Sequence, residues 1–237
     1  MGISGGPDMI QDGLVLALDA ADRNSYLGSG TTWRDISGNN NTSTLTNGPT
    51  FNSANGGSIV FDGTNDFSTS PDSTSLRPTS FSIDTWFRPT SFSAYNTVVV
   101  KPFNGPVWTS PFLSYMIRIE TNGTVLNCST STGGVYRFLT INYTFSTNTI
   151  YNIVFTFNSS TGDAIVYLNG SVLSSTNLTA GAISYSAFPV LVGASYGTSP
   201  IGELFAGNIY NVKVYNIILT AANITQNYNS LKSRFNL

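Results

Sequence analysis

The chain has 237 residues, of which 41% are hydrophobic, 13% aromatic and only 9% charged, with a formal net charge of −2. That aromatic content excludes a disordered chain, and the missing basic field leaves nucleic-acid binding without electrostatic support. With no histidine and a single cysteine, Cys128, an internal disulfide, a His- or Cys-built zinc site and a serine–histidine hydrolase are all excluded.

In chain order, Gly2 to Gln11 reads as an N-terminal arm (1–11), and 12–237 as one domain. The start has neither a charged n-region nor an apolar h-region, so no secretory leader is expected. No run reaches the ~18 apolar residues of a membrane span. Gly13 to Asp19 is a first strand. Ala20 to Pro49 is loop-rich, with Trp33 and Ile36 as its anchors. Ser58 to Phe61 is a strand ending in the turn cluster Asp62-Gly63-Thr64-Asn65-Asp66. Phe81, Ile83, Thr85 and Phe87 alternate with Ser82, Asp84, Trp86 and Arg88, a strand pattern that Pro89 stops.

Val98–Val100, Leu113–Ile119, Thr124–Cys128 and Val135–Ile141 follow as strands, with Cys128 a small buried side chain. Tyr151, Ile153, Phe155 and Phe157 give one apolar face, and Ala164 to Leu168 runs apolar on both. Asn169-Gly170 is suited to the positive φ of a tight turn. These strands are expected side by side at the centre of a sandwich. Pro189–Gly193 and Phe205–Tyr215 complete the sheets. Thr220 is a natural N-cap for one helix whose Ile224, Tyr228 and Leu231 would pack on a sheet edge. Asn223 stands where a capping box wants Glu, so no full box is expected, and Lys232 and Arg234 read as a solvated helix end. Strands about every ten residues predict an all-β, two-sheet antiparallel jelly-roll sandwich with a short C-terminal helix.

Three stretches carry a resemblance. Ser58-Ile59-Val60-Phe61-Asp62-Gly63-Thr64-Asn65-Asp66-Phe67 with Phe81 to Pro89, then Val166-Tyr167-Leu168-Asn169-Gly170, then Gly207 to Asn216 with Leu219-Thr220, are similar to laminin-G-like, concanavalin-A-like jelly rolls. More narrowly, Asp12 to Ala20, Gly28 to Trp33, Asp35 to Asn39 and the tail Asn227 to Phe235 resemble members in virion proteins of tailed phages, notably those infecting cyanobacteria. The resemblance implies a virion surface protein made in the host cytoplasm: a head decoration protein or a fibre or appendage subunit. Its partners would be other virion proteins, with self-association as a homo-oligomer open. The arm would dock on a neighbouring virion protein. The alternative is an adhesin that binds host surface polysaccharide, and one molecule can do both.

Related glycosidases carry two Glu flanking an Asp on one strand. This chain has only Glu120 and Glu203, far apart in sequence, so no enzyme and no catalytic residue is expected. Family members that hold calcium place an Asp where Tyr210 stands here, so no metal and no cofactor is expected. The Asp62–Asp66 turn is the one other place for an ion. The glycan-binding candidates are Tyr95, Phe103 and Trp108, in the loop-rich stretch Phe92 to Phe112, and Tyr196, with Tyr185 secondary. The competing reading is that these aromatics pack loops onto the sandwich.

Overall fold

The computed structural model describes residues 8–104, 109–196 and 201–237. The strands are β1 Leu14–Asp19, β2 Thr32–Trp33, β3 Ser43–Thr46, β4 Thr50–Asn52, β5 Ser58–Asp62, β6 Phe67–Ser70, β7 Phe81–Pro89 and β8 Tyr95–Pro102. They continue as β9 Leu113–Glu120, β10 Val125–Thr132, β11 Val135–Asn142, β12 Tyr151–Phe157, β13 Asp163–Leu168, β14 Ser171–Asn177, β15 Val190–Val192 and β16 Ala206–Tyr215. A helix, α1, spans Ala221–Leu231, and a 3-10 turn follows at Lys232–Phe235.

Two antiparallel sheets form the sandwich. The first runs β14-β13-β12-β7-β16-β5-β4, with β1 also on β16; the second runs β11-β10-β9-β8-β15-β6-β3-β2. Phe81, Ile83 and Phe87 from β7 and Ile153, Phe155 and Phe157 from β12 face Tyr115, Ile117, Leu126 and Cys128 across the core. Rings meet there edge to face, as Phe81 and Phe155 do at 5.3 Å, the arrangement that aromatic quadrupoles favour. Cys128 is fully buried, and burial pushes its thiol pKa up.

The predicted strands are present with shifted ends, some longer and some, such as Val190–Val192, shorter, and Asn169 and Gly170 take φ 48° and 78° in the β13–β14 turn. Other expectations need correcting. The Tyr151–Val172 stretch does supply three adjacent strands, but β14 is the sheet margin and β7 and β16 hold the middle. Ile36 is 36% exposed and does not anchor its loop; Trp33 does, together with buried Tyr26 and Leu45. That region also contributes short strands, β2 and β3, which its polar sequence hides.

The helix lies on the outer face of the first sheet rather than on an edge. Trp86, pointing outward from β7, stacks with Tyr228 at 5.3 Å and with Phe235 at 4.5 Å. Val154 and Tyr167 join Leu219 and Ile224 beside them. All seven residues of β12 are therefore buried, including the nominally polar face Asn152, Val154 and Thr156. Some of the polar groups trapped there are paired, whereas Trp86 Nε1 and Asn211 Nδ2 are buried without a hydrogen-bond partner among the described residues. Buried Asp84 accepts from Asn152 at 2.7 Å and from Asn227 at 3.3 Å.

A capping box is present after all. Asn223 N–H donates to the Thr220 hydroxyl, and Thr220 N–H donates to the Asn223 side-chain oxygen at 3.0 Å. An amide oxygen serves as well as the carboxylate of Glu. Arg234 is not a solvated end: its guanidinium pairs with Asp19 at 2.9 Å and donates to the carbonyls of Asn55 and Gly57. Residues 8–11 of the expected arm rest on the helix, where Ile10 N–H donates to Asn227 and Gln226 donates to the Asp8 carbonyl; residues 1–7 lie outside the described residues.

Gly207 shows how tightly β16 meets β7. At φ 143° a Cβ there would come within 2.2 Å of the Arg88 carbonyl oxygen, so no side chain fits. A second fixed point is Lys101, fully buried on β8, which donates to Asp72 at 2.6 Å and to the Phe188 carbonyl at 2.7 Å.

Two measurements check this picture. Trp86→Ala should cost about 3–5 kcal/mol in denaturant unfolding, since it removes the aromatic surface on which Tyr228 and Phe235 stack. The second concerns Asp72, also paired with Arg77. Burial alone would raise its pKa, but the bonds from Arg77 and Lys101 outweigh that and hold it below 3.8. A depressed carboxyl stabilises fully above its unfolded value and loses the contribution as pH falls through the folded one. The Tm difference between wild type and Asp72→Asn should therefore be steady near neutral pH and shrink below about pH 4.

Candidate functional site

The outer face of the second sheet carries a polar cluster at one end. Strand periodicity sends Arg118 and Glu120 of β9 to the same face, two residues apart. Register places Thr97 of β8 and Asn127 of β10 beside Arg118, and Tyr95 beside Glu120. Glu203, from the loop before β16, reaches over the same arginine.

The geometry is closed around the guanidinium. Nη1 of Arg118 donates to both oxygens of Glu203 at 2.9 Å, and Nε donates to Oε1 of Glu120 at 2.9 Å. Nη2 donates to that same Oε1, which leaves Oε2 of Glu120 without a partner among the described residues. Thr97 Oγ1 donates to Glu203 Oε2 at 3.1 Å, and Thr97 N–H donates to the Glu203 carbonyl at 2.9 Å. Glu203 is held at φ 51°, a conformation costly for a side chain larger than glycine and one that marks sites where surrounding contacts override the backbone. Burial alone would lower the Arg118 pKa, but Glu203 and Glu120 more than compensate and hold it above its ordinary value.

Tyr95 completes the cluster. Its ring lies 4.7 Å from the Arg118 guanidinium, yet the residue is 47% exposed. Ser93, Ala94, Tyr95, Glu203, Leu204 and Gly63 line an open cleft of about 300 Å³. Three strands across the same face, Phe138 of β11 is 54% exposed, next to Tyr136, whose hydroxyl meets Ser129 at 2.9 Å. An aromatic surface beside carboxylate and amide acceptors is the chemistry that binds a polyhydroxyl ligand: a flat apolar face for C–H groups and charge-assisted acceptors for hydroxyls.

The expected candidates do not converge. The Phe92–Phe112 stretch is not one loop, because β8 runs through it and sets Tyr95 and Phe103 near its opposite ends. At 3.2–3.4 Å per residue that is about 25 Å. Trp108 lies outside the described residues. Tyr196 is half-buried at 5.5 Å from Phe188 and packs with Val100, Leu113 and Leu191. Tyr185 donates its hydroxyl to the Pro78 carbonyl at 2.7 Å, on a separate groove of about 490 Å³. Among the described candidates, only Tyr95 sits at the polar cluster.

Sequence reasoning passed over Arg118, Phe138 and the meeting of Glu120 with Glu203, 83 positions apart. One local signal was available: Arg118-Ile119-Glu120 inside a strand places two charges on one face of a chain with little charge.

The two positions weighed for an ion, the Asp62–Asp66 turn and Tyr210, are engaged in the fold itself. Asp62 accepts from the backbone N–H of Thr64 at 2.7 Å and of Asn65 at 3.2 Å, while Asp66 accepts from Asp62 N–H at 3.0 Å. Tyr210 is the extra residue of a bulge in β16. Its ring is buried 4.8 Å from Phe235, with Arg234 at 5.6 Å. An aromatic ring and a guanidinium offer a hard cation nothing to bind.

Two stacked antiparallel sheets with aromatic and carboxylate groups on an outer face define a lectin-type sandwich. The sequence model for the concanavalin A-like lectin/glucanases superfamily matches residues 62–225, and the chain belongs to that superfamily. Curated protein sequences give no match. Among solved structures, the fold resembles the binding domain of Botulinum Neurotoxin DC in complex with SialylT, with TM-score 0.67, 16% identity, and 93% of this chain matched to 52% of that one. It also resembles domain 4 of AbnA, a GH43 extracellular arabinanase from Geobacillus stearothermophilus, solved with arabinotriose: TM-score 0.64, 17% identity, 91% and 98% covered. A third is the Trypanosoma rangeli sialidase in complex with sialic acid, TM-score 0.66, 14% identity, 94% and 33% covered. The chain thus spans about half the length of the toxin domain.

The packing around Tyr210 and the Asp62–Asp66 turn generates one expectation. Thermal melts in calcium and in chelator should coincide within experimental error; a chelator-induced fall of many degrees would place an ion at one of these positions.

Proposed function

We propose that this chain is a non-enzymatic carbohydrate-binding protein exposed on the virion surface of a tailed phage, where it recognises host surface polysaccharide. The observation that carries the sugar reading is the half-exposed Tyr95 ring, stiffened from behind by Arg118, at the mouth of a cleft bearing Glu203. A ring already held in place loses little freedom when a sugar stacks on it. The neighbour solved with arabinotriose lends the sugar reading support.

Catalysis is a poorer fit. Glycosidases set two carboxyl groups about 5–9.5 Å apart across the bond to be broken. Here a guanidinium fills the space between Glu120 and Glu203 and bonds to both. The virion assignment rests on the sequence resemblance of residues 12–20, 28–33, 35–39 and 227–235 to phage proteins. Sparse charge and polar loops of Asn, Ser and Thr suit a particle surface, where head decoration protein and fibre or appendage subunit are both compatible with a sugar-binding face. Labelled electron microscopy of the parent particle tests that placement.

For the binding site, Tyr95→Ala is the direct test. It removes an exposed ring and a cation–π contact of about 0.5–1 kcal/mol, so Tm should fall only slightly. Binding to host-cell polysaccharide, measured by biolayer interferometry, should drop at least about tenfold, or roughly 1.4 kcal/mol. Unchanged binding would remove the site.

A further inference from the structure

We propose that the Tyr95 cleft selects uncharged sugars and discriminates against acidic ones such as sialosides and uronates. This inference rests on the carbohydrate reading above and deepens it.

Three observations carry it. The cluster holds one guanidinium against two carboxylates, a formal sum of −1, and the residues lining the cleft include neither Lys nor Arg. All ten basic residues of the chain lie among the described residues, so no cation is missing from this count. Second, Arg118 has few donors left for an incoming anion. It makes four hydrogen bonds to Glu120 and Glu203, out of the five a guanidinium can offer. Its side chain is 8% exposed, and the Tyr95 ring lies against it. A sugar carboxylate would have to displace Glu120 or Glu203 and leave that group unpaired beside a second anion.

Third, the cluster beside the cleft keeps acceptor capacity, on a carboxylate opposite Tyr95 in the sheet. Oε2 of Glu120 has no partner among the described residues, and the rim beside it is aromatic. Hydroxyl groups donate to such an acceptor, and carboxylates cannot. Like-charge juxtaposition is a strong device for rejecting a wrong partner, because it adds a penalty rather than merely removing an attraction.

The test is a glycan array probed with the full-length protein, built from matched pairs that differ by one acidic residue. Lactose-terminated against 3′-sialyllactose-terminated chains, and glucose-containing against glucuronate-containing oligosaccharides, would serve. The expected result is binding confined to uncharged members, with acidic partners at least about tenfold weaker, and Tyr95→Ala losing the signal. Glu120→Gln keeps the Glu203–Arg118 pair, and its Tm should stay within a few degrees of wild type. It should narrow the gap between neutral and acidic members. Equal or tighter Tyr95-dependent binding of acidic members by the wild type would overturn the charge selection while leaving the sugar site standing. Binding to no member of the array would overturn the sugar reading and this inference with it.

Discussion

The outward-facing ring of Trp86 is the constraint from which the architecture follows. A sheet strand that buries one face in a sandwich core normally gives its other face to water. Here β7 carries the largest apolar side chain of the strand on that second face, beside Tyr210 of β16. Leaving both rings exposed would forfeit about 1.5–3 kcal/mol each, so the chain brings its own C-terminal segment back over the sheet. Tyr228 and Phe235 supply the covering rings, and Arg234 secures the end to Asp19 and to the 54–57 turn. The bulge at Tyr210 belongs to the same solution. It re-aims one residue outward at the point where the neighbour of β16 changes from β5 to β1. The Tyr210 position is thereby filled with a packed aromatic ring, and end-of-strand order comes from packing.

Covering one sheet leaves the outer face of the other differently built. Among the described residues no helix covers the outer face of the second sheet, and its composition changes along the strands. Near Val100, Leu113 and Met116 it is apolar and buried beneath Phe112, Tyr196 and Ile201. Toward Tyr95 it becomes a charged cluster that is only partly covered. Arg118 is the pivot between the two regimes. A cation this buried needs counter-charges close by, and a single carboxylate would leave several of its N–H groups unpaired. Two carboxylates from distant parts of the chain satisfy it, and in doing so they fix the 201–205 loop against β8. The same ion pairing that stabilises the rim thus shapes the cleft wall and determines its charge.

What was legible in the sequence follows the range of the interactions. Alternation in Phe81–Arg88 and Tyr151–Phe157, the Asn169-Gly170 turn and the Thr220 cap are local, and the strands, hairpin and helix stand where those signals put them. The Asn223 oxygen closing the capping box shows that the side-chain geometry, not the residue type, was the requirement. Burial of Asn152 and Thr156 was not legible, because it depends on a helix sixty-odd residues later lying over them. Arg234 reads as a solvent-facing charge until Asp19, 215 positions away, is placed beside it.

The site divides the same way. Tyr95 stands out as an aromatic residue in a polar stretch, and Phe103 and Tyr196 stand out for the same reason. Only tertiary structure separates them, since an aromatic side chain near a strand end has the same sequence appearance whether it supports a loop or faces solvent. The distinguishing feature is a charge behind the ring. Tyr95 backs onto Arg118, whereas Tyr196 backs onto Phe188 and a hydrophobic wall. In a chain with so few charges, two carboxylates converging on one arginine at an exposed ring cannot be put down to a generally charged surface. Stability alone would be served at least as well by apolar packing, since exchanging a buried ion pair for hydrophobic residues is often neutral or favourable. The ion cluster at the rim, with Glu203 held at φ 51°, is the feature on which the proposed ligand reading rests.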